Sequence, residues 1–206
     1  MTTRRQSGFT LIELVVTLAI ASILLGIGVP SFVDVVRNAR IGTQYNQMAR
    51  ALFIARSEAV KSSEFVVVCA RSAPASLDCG GKDDWKNGWL VYVDVDSAID
   101  SNASIDTGDT IIATEPALVG DNWLEVRART ANGATPSEVG HVRYLPRGDT
   151  DWESGSLVIC DKHRGSPKSR VVNVKLTGDI QPGRPNGTET VPRDVFGSPI
   201  DCGTGT

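Results

Sequence analysis

FTLIELVVTLAIASILLGIGV, residues 9 to 29, is a run of twenty-one residues whose only charge is Glu13. At about 1.5 Å per residue, a helix of that length spans a hydrocarbon core of roughly 30 Å, so the run reads as a membrane helix. Arg4 and Arg5 precede it without an acidic neighbour. The positive-inside rule then keeps residues 1–8 cytoplasmic and sends residues 31–206 outward. A secretory signal would carry its small-residue cleavage site after the apolar run, whereas this run leads into Pro30 and a further helical pattern. The small residue lies in front instead, where Ser7-Gly8-Phe9 presents an accessible glycine to a protease at the cytoplasmic face.

Beyond Pro30, apolar positions including Phe32, Val35, Val36, Ala39, Ile41, Tyr45, Met48, Leu52, Ala55 and Ala59 recur mostly at steps of three or four. That spacing predicts an amphipathic continuation over residues 30–62, with Gly42 its weak point. Residues 9 to about 61, if wholly helical, make a rod of about 80 Å, too long for its own domain to bury. Its first half therefore needs lipid or other subunits. Gly26, Gly28 and Pro30 are expected to weaken or bend the helix at the membrane exit, an unbent helix tolerating Pro30 being the alternative.

From residue 63 the period changes to two. Strands are predicted over 65–70, 89–95, 110–114, 123–128, 142–145, 156–160 and 170–176. Turn signals separate them at Lys86-Asn87-Gly88, Asn132-Gly133, Arg147-Gly148-Asp149 and Thr177-Gly178-Asp179. The fold class is thus α+β, a long N-terminal helix followed by a mainly antiparallel sheet or sandwich head over 63–206. Four cysteines, Cys69, Cys79, Cys160 and Cys202, all follow the apolar run and suit two disulfides in an oxidising compartment. Of three possible pairings, Cys69 with Cys79 and Cys160 with Cys202 are favoured. The first closes a short Ser-, Pro- and Gly-containing loop, and the second pins the C-terminus to a strand. Cys160-x-x-His163 offers a zinc spacing as the alternative, without a second clustered pair.

The run Gly8-Phe9-Thr10-Leu11-Ile12-Glu13-Leu14 resembles the processing motif of type IV pilins and type II secretion pseudopilins. The resemblance implies that a prepilin peptidase removes residues 1–8 by cutting between Gly8 and Phe9, then methylates the Phe9 amino group. It also implies that Glu13 serves assembly. A carboxylate in hydrocarbon costs ~2.5 to 3.5 kcal/mol and seeks a cation, for which the amino terminus of a neighbouring subunit's Phe9 is the family's partner. The alternative leaves Glu13 solvated near the headgroups.

A second resemblance covers most of the chain. Ala51-Leu52-Phe53-Ile54-Ala55-Arg56-Ser57-Glu58-Ala59-Val60, Asn87-Gly88-Trp89-Leu90-Val91-Tyr92-Val93-Asp94, Val142-Arg143-Tyr144-Leu145-Pro146-Arg147-Gly148 and a late cysteine-containing strand look like the GspH/FimT/FimU group of minor pilins and pseudopilins. It implies the pilin fold and a low-abundance subunit that initiates or caps a filament. The implied partners are other major and minor pilins or pseudopilins, the prepilin peptidase and the inner-membrane assembly platform. The implied location is a single pass of the bacterial inner membrane with the head in the periplasm, then the pilus or pseudopilus, at its tip. No cofactor or metal is implied.

Other candidates are weighed against this reading. Formal charge is −3, and without residues 1–8 it becomes 19 basic against 24 acidic, which disfavours a general polyanion binder. Locally, Lys162, Arg164, Lys168, Arg170 and Arg184 could meet DNA phosphates, since some FimT-like proteins are DNA-uptake factors. The resemblance places their glycine-Arg-x-Arg motif near the C-terminal strand, where this chain has Gly178-Asp179-Ile180-Gln181. DNA contact is therefore possible but not favoured. Asp94, Asp96, Asp100, Asp106 and Asp109 are dense enough for calcium but out of EF-hand order, and read better as a solvated Asx-rich turn. With only His141 and His163, and no hydrolase or metalloprotease motif, an enzyme is not expected.

Overall fold

The structure, a computed structural model, describes residues 9–95, 103–130 and 135–203. Helix α1 runs Leu11–Ser62 and continues through Pro30. It starts on Thr10, whose Oγ1 accepts the Glu13 N–H at 3.3 Å while its carbonyl accepts the Leu14 N–H. A Thr three residues before a Glu is the capping-box spacing, and it satisfies a helix donor that would otherwise lack a partner.

The chain divides into two compact units, one ending at Ala39 and the other beginning at Arg40. In the first, every described residue from Phe9 to Val36 is exposed, including the leucines and isoleucines. This is the chain's one described helix long and apolar enough to cross a membrane.

In the second unit, the remaining turns of α1 bury Ile41, Gln44, Met48, Ala51, Leu52, Ala55 and Ala59. The strands are β1 (Phe65–Ala70), β2 (Trp89–Asp94), β3 (Thr110–Glu115), β4 (Trp123–Thr130), β5 (Ser137–Glu138), β6 (His141–Tyr144), β7 (Trp152–Cys160), β8 (Arg170–Lys175) and β9 (Ile180–Pro182). They form one sheet in the order β3-β2-β1-β6 and another in the order β5-β4-β7-β8-β9. All these pairings are antiparallel.

One core joins the helix to both sheets, as the period of two demands. Val66, Val68, Ala70, Val91 and Val142 of the first sheet, and Leu124, Val126, Leu157, Ile159, Val172 and Val174 of the second, meet the helix residues there. The opposite faces are also covered. Val67, Cys69, Leu90 and Tyr92 lie against Cys79, Ala103 and Ile105. Val158, Cys160 and Val171 lie against Val191, Ile200 and Cys202. Gly155, mid-strand in β7, is required because a Cβ there would strike the Trp152 ring.

The strand expectations differ from the structure in three places. Strand β7 begins at Trp152 rather than Ser156. Both β5 and β9 are additional, since two or three residues are too few to show a period. Pro182 closes β9 at a sheet edge, where its missing N–H costs no ladder bond.

Candidate functional site

Phe9 and Glu13 lie at the start of α1, both exposed, Phe9 to 79%. Gly8 falls outside the described residues. Through its main-chain N–H, Glu13 is fixed by the Thr10 hydroxyl, so its carboxylate starts from a capped helical turn. An acidic group in the first turn also suits the helix dipole. The role of Thr10 went unread in the sequence, although Thr10-x-x-Glu13 was there to show it.

Two polar clusters hold the helix to the β-structure of the second unit. Near its start, the Gln44 Nε2 donates to the Val119 carbonyl at 3.0 Å, and the Asn122 Nδ2 donates to Gln44 Oε1 at 2.6 Å. Arg40 approaches Gly120 in the same loop. Three turns on, Arg56 donates to the Gly148 carbonyl at 3.1 Å, the Thr177 carbonyl at 2.9 Å and Asp179 Oδ1 at 2.9 Å. The Arg56 guanidinium, followed by the Thr177 hydroxyl, holds the Asp179 carboxyl below its usual range. These contacts define an Arg40 end and an Arg56 end of the unit. Helical spacing showed only that Arg56 is a polar position, because its partners are about 90 or more residues away.

The same ion pair bears on DNA contact. At the place where the resemblance puts a nucleic-acid-binding arginine, this chain has Asp179 engaged with Arg56. Of the five basic candidates, Arg164 is turned inward onto buried Asp161, with its Nε 2.8 Å from Oδ2. Lys162, Lys168, Arg170 and Arg184 are exposed.

Cys69 is bonded to Cys79 and Cys160 to Cys202. The latter bond removes the Cys160-x-x-His163 zinc alternative, since the sulfur is no longer a thiolate. No group of three or more His, Cys, Asp or Glu able to hold a metal occurs among the described residues. Asp109 accepts the Val95 and Asp106 N–H groups, so its carboxylate serves the backbone, while Asp96 and Asp100 fall outside the described residues. Buried Asp94 and Arg143 lie 3.9 Å apart on the covered face of the first sheet. Nearby, burial and then the Arg143 guanidinium push the His141 imidazole down to about 4.

Residues 44–178 match the family described as Type II transport protein GspH, and residues 3–29 match the prokaryotic N-terminal methylation motif. No curated protein is a match for the chain. Among solved structures, the type IV minor pilin FimU of Pseudomonas aeruginosa aligns at 16% identity, covering 74% of this chain and 92% of its own, with a TM-score of 0.45. A second crystal form of it aligns at 16% identity over 70% and 90%, with a TM-score of 0.42. The family match spans more than half the chain, from within α1 through β8, and the methylation motif lies ahead of it, so the chain belongs to the GspH family of minor pilins and pseudopilins.

Proposed function

We propose that this chain is a structural subunit that initiates or caps a type IV pilus filament. The observation that carries the reading is the apolar stretch Phe9 to Val29, exposed throughout in the isolated chain and interrupted by the single acid Glu13. Such a surface is stable only in lipid or against other apolar helices. Residues 1–8 are the leader, cut after Gly8, and Phe9 carries the methylated amino terminus. Residues 9–29 cross the inner membrane, with Pro30 at the exit and 30–62 continuing the helix. The head, 63–206, lies in the periplasm and later at the filament tip. The partners are the other pilins, the prepilin peptidase and the assembly platform.

Glu13 pairs with the amino terminus of a neighbouring subunit during assembly. Replacing Glu13 with Ala is expected to leave membrane insertion intact and to lower recovery with the other subunits by at least about tenfold. The check is a pull-down of the tagged variant from solubilised membranes, and undiminished recovery would sink the proposal.

The description Type II transport protein favours a second reading, a minor pseudopilin of a secretion machine. The same pull-down separates the two, because pseudopilins rather than pilins would be recovered. DNA uptake has less support, given the Asp179 ion pair with Arg56.

A further inference from the structure

We propose that Asn186, unlike Asn87, is a site of spontaneous deamidation, at which the Gly187 nitrogen displaces the side-chain amide and the exposed loop after β9 acquires a carboxylate. The proposal stands apart from the function proposed above. Asn-Gly occurs three times, at residues 87–88, 132–133 and 186–187. In sequence the three are equivalent turn signals. Asn132 and Gly133 fall outside the described residues, and the structure gives the other two pairs opposite surroundings.

The reaction asks little of the protein. The glycine nitrogen, having lost its proton, attacks the carbonyl carbon of the asparagine side chain. The new N–C bond forms as the bond to the side-chain nitrogen breaks, and that nitrogen leaves as ammonia with the proton. Solvent water then opens the cyclic imide at either carbonyl, leaving Asp or its β-linked isomer. Three conditions govern the rate. The asparagine amide must be free to swing toward the backbone, the glycine N–H must be free to ionise, and the nitrogen must be unshielded. Glycine favours the last by lacking a Cβ.

Asn87 is held back on each count. Its Nδ2 donates to the Arg71 and Ser72 carbonyls, each at 3.2 Å, and the Gly88 N–H donates to the Trp85 carbonyl at 3.2 Å. Gly88 is buried, and a Cβ there would strike the Glu115 and Pro116 carbonyls. A carboxylate in place of this amide would also face those two acceptors and Asp84.

Asn186 meets all three conditions. Both it and Gly187 are exposed, and where a Gly187 Cβ would stand there is no atom within 4 Å beyond its chain neighbours. Among the described residues, neither the Asn186 side chain nor the Gly187 N–H enters a hydrogen bond. Only the Asn186 carbonyl is engaged, by the Glu189 N–H at 3.1 Å. The base of the loop is closed by the Arg193 N–H donating to the Arg184 carbonyl at 3.2 Å and by Arg193 Nε donating to Glu189 at 2.9 Å, which leaves the tip outside. Gly187 has a φ of 59°, a left-handed conformation that favours glycine, so the turn itself selects the residue that leaves the nitrogen bare. The new carboxylate would stand two residues from Arg184 and oppose contact with a polyanion there.

The test incubates the folded full-length protein in detergent at mildly alkaline pH, digests it at acidic pH and follows the peptides bearing Asn87 and Asn186 by mass spectrometry. The Asn186 peptide is expected to convert to Asp and its isomer at least about tenfold faster than the Asn87 peptide, because several hydrogen bonds must open before Asn87 reacts. In urea with the disulfides reduced, the two should convert at similar rates. Gly187→Ala should slow conversion at Asn186. A folded protein whose Asn186 stays intact overturns the proposal, as does equal conversion of Asn87 and Asn186 in the folded state. An Asn186 rate unchanged by Gly187→Ala would overturn the route through the glycine nitrogen.

Discussion

His141 faces Cys69 across the β1–β6 ladder, where burial and then the Arg143 guanidinium move its titration from 6.5 to about 4. Between these values the unfolded chain takes up a proton that the folded chain refuses. The stability contribution is therefore fully present above 6.5 and is lost as pH falls through that window, by at most about 1.4 kcal/mol per unit. His141→Asn should flatten this part of the profile. Urea unfolding of the detergent-solubilised full chain at successive pH values checks it, and an unchanged slope would assign the effect to other groups. His163 is exposed, and sequence could not separate the two histidines, because burial is set by neighbours distant in the chain. At Thr10 and Glu13 the reverse holds, since a cap is made by residues three apart and is legible in their spacing.

At the scale of elements, each disulfide ties a covering segment to the outer face of one sheet, Cys79 to β1 and Cys202 to β7. The Cys69–Cys79 loop has a sequence separation of 10 and the Cys160–Cys202 loop 42. Loop-closure entropy then gives about 3 kcal/mol for the first and about 4 for the second. Replacing Cys160 and Cys202 with Ser should cost more stability than replacing Cys69 and Cys79, as read by denaturant midpoints of the two double variants. The opposite order would show that native-state packing, not closure, dominates. Cysteine positions and loop composition favoured these pairings among three. The two outer layers were not legible, because nothing local says which segment covers a strand's second face. The seven longer strands showed their alternation, whereas β5 and β9 are too short to have one.

For the whole molecule, the compact unit begins at Arg40, inside the helix. Its core includes Ile41, Met48 and Leu52, three side chains worth about 6 kcal/mol together, comparable with the roughly 5–15 kcal/mol of an ordinary domain. A fragment of residues 40–206 should fold, and one of residues 63–206 should not. Near-ultraviolet circular dichroism distinguishes them, and a cooperative melt from the shorter fragment would refute the dependence. Sequence by itself determined the apolar helix, its processing motif, the change of period after residue 62 and the family resemblance, all of which are patterns among residues close along the chain. Tertiary structure alone decided that Arg56 engages Asp179 and that each sheet is covered on both faces. Those are relations between residues far apart in sequence, fixed by strand direction and register, which a linear pattern does not encode.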